Sequence, residues 1–524
     1  MLRNLFVTKP VDPAPHVDAG EPVEGSLSGE ASLRRVLTAR HLFLLGVGAI
    51  IGAGIFVMTG KAAADYAGPA VILSFILAGM TCALAGLCYA EFAAMMPVSG
   101  SAYSYTYSTM GEVIAWFIGW NLVLEYLFAA STVAVGWSGY LGGFLDSTFG
   151  VQLPAILAQA PYTFVAETKS FARTDGLLNL PAVLIVAAVT ALCYRGITQS
   201  AWANAIIVAL KVAVIVLFLA FAFQYINPAN WDACQAIAAS GGQFSAELVA
   251  ELRAACAAGS PGLAIIPPGT EAGLFGTDGV IRAAAVVFFA YIGFDAVSTA
   301  AGEAKNPQRD MPIGILGSLA FCTVLYIAMA ATMTGLLPFP ELGTNKPIAT
   351  ALETYPTLGW LKTIVEIGAI AGLSSVILVM LMGQPRIFFA MSQDGLMPKI
   401  FGKVHPKYGT PHVGTVIVGV VAAAMAGLLP LSFLGDLVSM GTLLAFATVS
   451  AGVLILRYTR PDLPRPFRVP FPHLICPLAV IACLYLFWQP FADHWQVMLG
   501  WTVIGFAIYA VYGYRNSKLR RGQV

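Results

Sequence analysis

Residues 46–56 read GVGAIIGAGIF, placing Gly46, Gly48, Gly52 and Gly54 in an otherwise apolar run. Three structures suit such a run: a dinucleotide-binding turn, a helix-packing face built on Gly48 and Gly52, or a membrane helix made to come apart at its middle. A dinucleotide turn needs a strand before the glycines and an acidic residue about 20 positions after them. Here residues 41–66 have membrane length and no alternating polarity, which sets that reading aside. Close packing of helices through small residues still competes with the broken helix at this point.

Composition decides the solvent. Of 524 residues, 58% are hydrophobic and 10% charged, against about 25% charged in a soluble domain, and mean hydropathy is +0.78. A spanning helix takes about 20 mostly apolar residues. Twelve segments qualify: 43–66, 70–96, 113–145, 177–194, 203–226, 280–300, 312–337, 360–391, 413–430, 433–457, 473–489 and 496–514. The expected fold is all-α, a polytopic membrane protein with twelve transmembrane helices. The first forty residues are polar and lack the apolar stretch of a cleavable signal, so the first span is expected to direct insertion. A net charge of +1 argues against a nucleic-acid partner. The eight cysteines show no Cys-x-x-Cys pair and no metal-ligand spacing, so neither metal nor cofactor is expected.

Lys and Arg are retained on the cytoplasmic side of a membrane. With both termini inside, 20 of the 28 fall on inner segments and seven on outer ones, with Lys211 left over inside a span. The reading is a multi-pass plasma-membrane protein with both termini cytoplasmic. Cys234 and Cys256 then share the outer loop 227–279, where a short surface helix is expected around 244–257. A disulfide between them and two free thiols are equally open.

A second segment resembles the first in design. Residues 288–309, FFAYIGFDAVSTAAGEAKNPQR, carry Gly293 at mid-span beside Asp295, five spans after the first. Transporters of two inverted repeats put a broken helix at matching positions in each repeat, around a site near mid-membrane. Free N–H groups at the start of a half-helix attract a carboxylate, and free carbonyls at the end of the other half attract an ammonium. An amino acid has both. Broken helices thereby become the leading reading of GVGAIIGAGIF.

Four motifs in order, GAIIGAGIF, EFAAMMPVSGSAYSYTY, FFAYIGFDAVSTAAGEAKNPQRDMPIGI and GQPRIFFAMSQDGLMP, closely resemble the bacterial cationic amino acid transporter branch of the amino acid–polyamine–organocation superfamily. The resemblance runs from about residue 32 to the last span. It implies a LeuT-like 5+5 inverted-repeat core plus two extra helices. The divisions would be 1–31, a cytoplasmic tail; 32–226, the first repeat; 227–279, the outer loop; 280–457, the second repeat; and 458–524, the last two helices with a basic tail. It also implies import of L-amino acids by alternating access. Carried over by position, substrate would meet main-chain atoms at Ile51, Gly52, Ala53 and Gly54 and at Phe289, Ala290, Tyr291 and Ile292. Met380 would line the side-chain pocket, with Tyr291 and Phe294 capping it or merely packing.

Lys211 lies deep in AIIVALKVAVIVLF. A lysine at the bilayer centre costs roughly 2.5–3.5 kcal/mol on insertion scales, a cost that falls if the proton leaves, so such a group can change charge during a cycle. The resemblance makes its ammonium a built-in replacement for a sodium ion, reaching the broken first helix and a hydroxyl of Ser374 or Ser375. Intramembrane acids usually face the bundle interior, which makes Glu125 and Asp295 proton-relay or gating groups, or plain hydrogen-bonding ones. Glu366 reads as solvated or as part of a gate, and Glu91 as a partner for inner arginines. The tyrosine-rich stretch 96–112 suits an interfacial helix. Arg309 and Arg386, beside acids, suit an inner gate or only the positive-inside rule.

The expected partners are a small L-amino acid, protons and the lipid bilayer, with any accessory subunit invisible. Sodium coupling, or exchange of amino acids or polyamines, is the rival within transport. A membrane-embedded enzyme or receptor is the rival outside it. The six histidines lie at or beyond the span ends, where they assemble no catalytic site.

Overall fold

The computed structural model describes residues 7–9, 37–96, 101–165, 168–196, 201–240, 244–258, 264–270 and 274–522. It is almost wholly helical. Backbone polar groups in hydrocarbon must be satisfied within the segment, which leaves an apolar chain little besides helix. Among the described residues, eight helical runs are long and apolar enough to cross a membrane. Leu180–Tyr194 and His412–Leu428 are shorter apolar helices.

The first run, Ala39–Met95, is interrupted. Helix α1 (Ala39–Ile50) stops at Ile51, whose φ −71° and ψ 98° are extended. Helix α2 (54–67) resumes with α and π turns, and α3 (Val71–Met95) follows. The short α4 is Ser101–Thr109. The long α5 (112–149) holds a π turn at Leu124–Phe128. A hairpin of β1 (Tyr162–Val165) and β2 (Ser170–Arg173) then leads to α6 (Leu180–Tyr194) and α7 (Ala201–Ala222).

After α7, α8 (Ala233–Ala239) and α9 (Ala246–Ala257) are joined by a Cys234–Cys256 disulfide, so the bridge left open by the sequence is formed. Next come α10 (Gly276–Val287) with a 3₁₀ turn to Tyr291, the four-residue α11 (Ala296–Thr299), and α12 (Pro307–Leu336). The rest are α13 (Pro347–Glu353), α14 (Gly359–Gln393), α15 (His412–Leu428), α16 (Leu431–Thr459) and α17 (Pro472–Ile508). Helix α17 kinks at His494, which has φ −125°.

The broken segments α1–α2 and α10–α11 sit in the middle, walled by α3, α5, α12, α14 and α16. Large apolar side chains on α12 and α17, such as Val324, Ile481 and Trp488, face outward. That is the polarity a bilayer demands.

Several expectations need correction. The tyrosine-rich α4 is not interfacial: Tyr103, Tyr105 and Tyr107 are buried. Tyr103 donates to Asp394, Tyr107 donates to Glu112, and Tyr105 stacks on Phe92 at 4.9 Å, so the hydroxyls and rings find partners inside. Residues 97–100 of that stretch lie outside the described residues. Glu366 is fully buried and takes a 2.9 Å bond from Ser147, not solvated. Among the described residues, ion pairs on the α4 side of the molecule run through Lys9–Asp394, Arg457–Glu91 and Arg520–Glu112, and not through Arg309 or Arg386. Glu91 does pair with arginine, as read. His494, expected beyond the spans, is buried and bonds Asp436.

Candidate functional site

Both interruptions are present, and they touch. A Cβ on Gly54 would lie 2.1 Å from the Cα of Ala290, so glycine is what allows the two broken segments to meet. Gly293 has φ +117°, a conformation open to glycine, and it turns the chain between α10 and α11. The packing reading of the glycines is also right in part. A Cβ on Gly48 would come within 2.7 Å of Val208 on α7.

A helix that stops leaves carbonyls without partners. The amine of Lys211, on α7, donates to the carbonyl oxygens of Gly48 and Ile51, both at 2.9 Å, and is 1% exposed. Tyr326 of α12 completes the set. Its hydroxyl lies 2.7 Å from the Ile50 carbonyl oxygen and 2.9 Å from that of Ala290, so one phenol ties both interruptions. Sequence reasoning missed Tyr326. A tyrosine in an apolar run is ordinary packing until the chain that meets its hydroxyl is known.

Ser374 and Ser375 do not serve the amine. Ser375 donates to Gly372 O, and Ser374 donates to Ile370 O while accepting from Trp137. What α14 presents to Lys211 is Gly372, whose absent Cβ would stand 3.2 Å from the lysine Cε.

Between the interruptions lies a small cavity of about 10 Å³, room for roughly one water. Gly52, Ala53, Gly54, Phe289, Ile292 and Met380 line it, with Ala49, Ile50, Ala129, Val133 and Val376. Ile51 is turned to Lys211 and Ala290 to Gly54, so they back the cavity instead of lining it. Tyr291 donates to Phe75 O and packs on Tyr326, while Phe294 packs on Phe446. Neither caps the cavity.

Asp295 accepts from Gly293 N and from the Tyr126 hydroxyl, each at 3.2 Å. Glu125, on the π turn of α5, lies carboxyl to carboxyl with Asp295, both 1% exposed. The π turn puts one extra residue into α5 at this point, a distortion that recurs at functional sites.

At the α10 end, Arg282 grips Asp436 with two nitrogens, at 3.1 and 2.6 Å, and reaches Asp493 at 3.2 Å. His494 bonds Asp436 at 3.1 Å, and Lys169 of the hairpin bonds Asp493 at 2.9 Å. At the opposite end, Leu37 and Ala304 form a parallel bridge that ties the start of α1 to the end of the sixth span.

Interrupted apolar helices in the middle of the bundle, with buried donors on their bared carbonyls, define a helical protein with several candidate membrane spans. The amino acid permease family matches residues 37–512, and the chain belongs to that family, within the amino acid–polyamine–organocation superfamily. It is 44% identical to the branched-chain amino acid permease BcaP of Bacillus subtilis, over 94% of this chain and 96% of that one. It is 41% identical to the methylthioribose transporter of the same organism, over 99% and 100%. It is 37% identical to cationic amino acid transporter 2, vacuolar, of Arabidopsis thaliana, over 88% of this chain and 64% of the plant one.

Proposed function

We propose that the protein imports neutral L-amino acids by alternating access, coupled to protons, through twelve spans with an inverted 5+5 core and cytoplasmic termini. The observation that carries this is the Lys211 amine on the Gly48 and Ile51 carbonyls, beside a cavity bounded by Gly52–Gly54. Substrate carboxylate is held at the start of α2 and substrate amine at the bared carbonyls of the sixth span. The main chain does the recognising.

Substrate range follows from the walls. Val133, Val376, Phe289, Ile292 and Met380 offer no acid to a guanidinium or ammonium. A buried unpaired charge is costly, so aliphatic side chains fit and cationic ones do not. The name of the Bacillus branched-chain relative agrees with this.

Proton coupling uses two places. Protonated Lys211 holds the first span in its binding-ready form, and loss of the proton frees α1 to move. Glu125 faces Asp295, with the Thr442 hydroxyl also beside it. A proton shared between the two carboxyls joins them, because two like charges so close do not both persist. Sodium coupling through Ser374 and Ser375 is disfavoured because the Lys211 amine occupies the expected cation position, on the Gly48 and Ile51 carbonyls.

The test is uptake by proteoliposomes under a pH gradient in sodium-free buffer. Wild type is expected to accumulate L-valine or L-leucine, and Lys211→Ala to lose accumulation. Unchanged accumulation by Lys211→Ala refutes the coupling. A thermal-shift screen with L-valine, L-arginine and methylthioribose checks the substrate class. A ligand at 100 times its dissociation constant stabilises by about 2.7 kcal/mol.

A further inference from the structure

A larger cavity lies away from the broken helices. It occupies about 500 Å³ between α5, α14, α15 and α17, within the range of about 300–1,000 Å³ typical of small-molecule sites. Its lining exposes no polar surface. Trp120 and Trp501, stacked at 4.5 Å, form one wall. Ile417 and Val421, 41% and 42% exposed, leave the opposite side open to the surroundings. The lining runs from Ile417 to Met425 along α15, about 12 Å at 1.5 Å per residue, so the space is elongated along the helix axis.

In a membrane, the medium at such an opening is hydrocarbon, and the cavity has the polarity of a lipid chain. One end adds charge. Phe401 lines the cavity on the short turn Lys399–Gly402, where Lys399 and Lys403 are exposed. Neither lysine has an ion pair among the described residues, and Ile400 and Val404 beside them are exposed apolar groups. Juxtamembrane lysines attract anionic headgroups.

We infer that this cavity binds one anionic phospholipid, with an acyl chain between Trp501 and Val421 and the headgroup over Lys399 and Lys403. The occupant bears on the central site. Leu127 and Phe128 line the cavity and belong to the π turn that aims Glu125 at Asp295. A chain packed there holds that turn in place. The inference needs the membrane setting of the family and not the proton-coupling proposal.

Delipidated protein is offered dioleoyl phosphatidylglycerol or dioleoyl phosphatidylcholine, and retained lipid is counted by native mass spectrometry. Wild type is expected to keep one phosphatidylglycerol, preferred by about fivefold or more, the worth of one surface lysine to an anionic headgroup. Lys399→Gln with Lys403→Gln erases that preference. Val421→Trp, or Ile417→Trp should the first fail to fold, sets an indole across the opening of the cavity and lowers retention. Equal retention of both lipids by wild type overturns the site, as does full retention by an obstructed variant whose helical circular dichroism is intact. A dimer mass in place of lipid adducts also overturns it, giving the cavity to a second copy of the chain. The thermal shift with L-valine, read on the same samples, reports separately on the substrate site.

Discussion

Gly54 and Tyr326 act on the same few ångströms from opposite directions. Glycine lets the two interruptions touch, and the phenol bonds the carbonyls they leave bare. Gly54→Ala sets a methyl against the Ala290 backbone, which cannot swing aside as a side chain would. Overpacking of this kind costs about 1–3 kcal/mol. The L-valine thermal shift is expected to vanish while the protein still purifies as a folded species. Tyr326→Phe keeps the edge-on contact with Tyr291 and the tilted contact with Phe75 but strands buried acceptors, a loss of about 1–3 kcal/mol. The expected result is lower thermal stability together with a raised KM for uptake. An unchanged melting temperature would show that water or a rearranged backbone replaces the hydroxyl.

At the scale of elements, the interrupted spans have a clasp at each end. Arg282 binds α10 to α16 through Asp436 and to the kink of α17 through Asp493, with the Tyr66 ring 5.0 Å below its guanidinium. In the proposed alternating-access cycle, opening the cavity toward this end parts the clasp. Removing one partner of a buried ion pair typically costs about 3–5 kcal/mol, and Asp493 offsets part of that here. Asp436→Asn is therefore expected to lower the melting temperature and to speed labelling of Ile292→Cys by a charged thiol reagent. The free cysteines Cys82, Cys88, Cys193, Cys322, Cys476 and Cys483 are all buried, so background labelling is low. Labelling no faster than in the Ile292→Cys parent would mean that the clasp does not gate access. On the other side, the Leu37–Ala304 bridge joins the start of α1 to the end of the sixth span.

Across the whole molecule, Lys9 and the segment from Tyr509 to Arg520 are gathered on one face. Lys9 bonds Asp394, and its amide donates to Tyr107 O of α4. The carboxyl-terminal segment returns to the same helix. Glu112, fully buried, accepts from Tyr107, Tyr509 and Ser517 and pairs with Arg520 at 2.9 Å. Deleting residues 517–524 strips that carboxylate of two partners, one of them its cation. A fall in melting temperature is expected, with substrate preference in the thermal-shift screen unchanged because the first cavity residue on α5, Ala129, stands about 25 Å along that helix from Glu112 at 1.5 Å per residue. Preserved stability would show that water takes over the role of Arg520 and Ser517.

How much was legible depends on whether the signal is local. Apolar length, charge asymmetry and mid-span glycines are properties of single segments, and the solvent a segment requires follows from them. The interruptions at Ile51 and Ile292, the surface helix Ala246–Ala257 and the unusual burial of Lys211 were readable for that reason. Partners were not. Lys211 found carbonyls alone instead of Ser374 or Ser375, Tyr291 turned away from the cavity, α4 went inside, and Tyr326 and the Arg282–Asp436–His494 cluster emerged from segments far apart in sequence. A buried polar group takes whichever donor or acceptor the packing of distant helices delivers, and only the assembled tertiary structure fixes that choice.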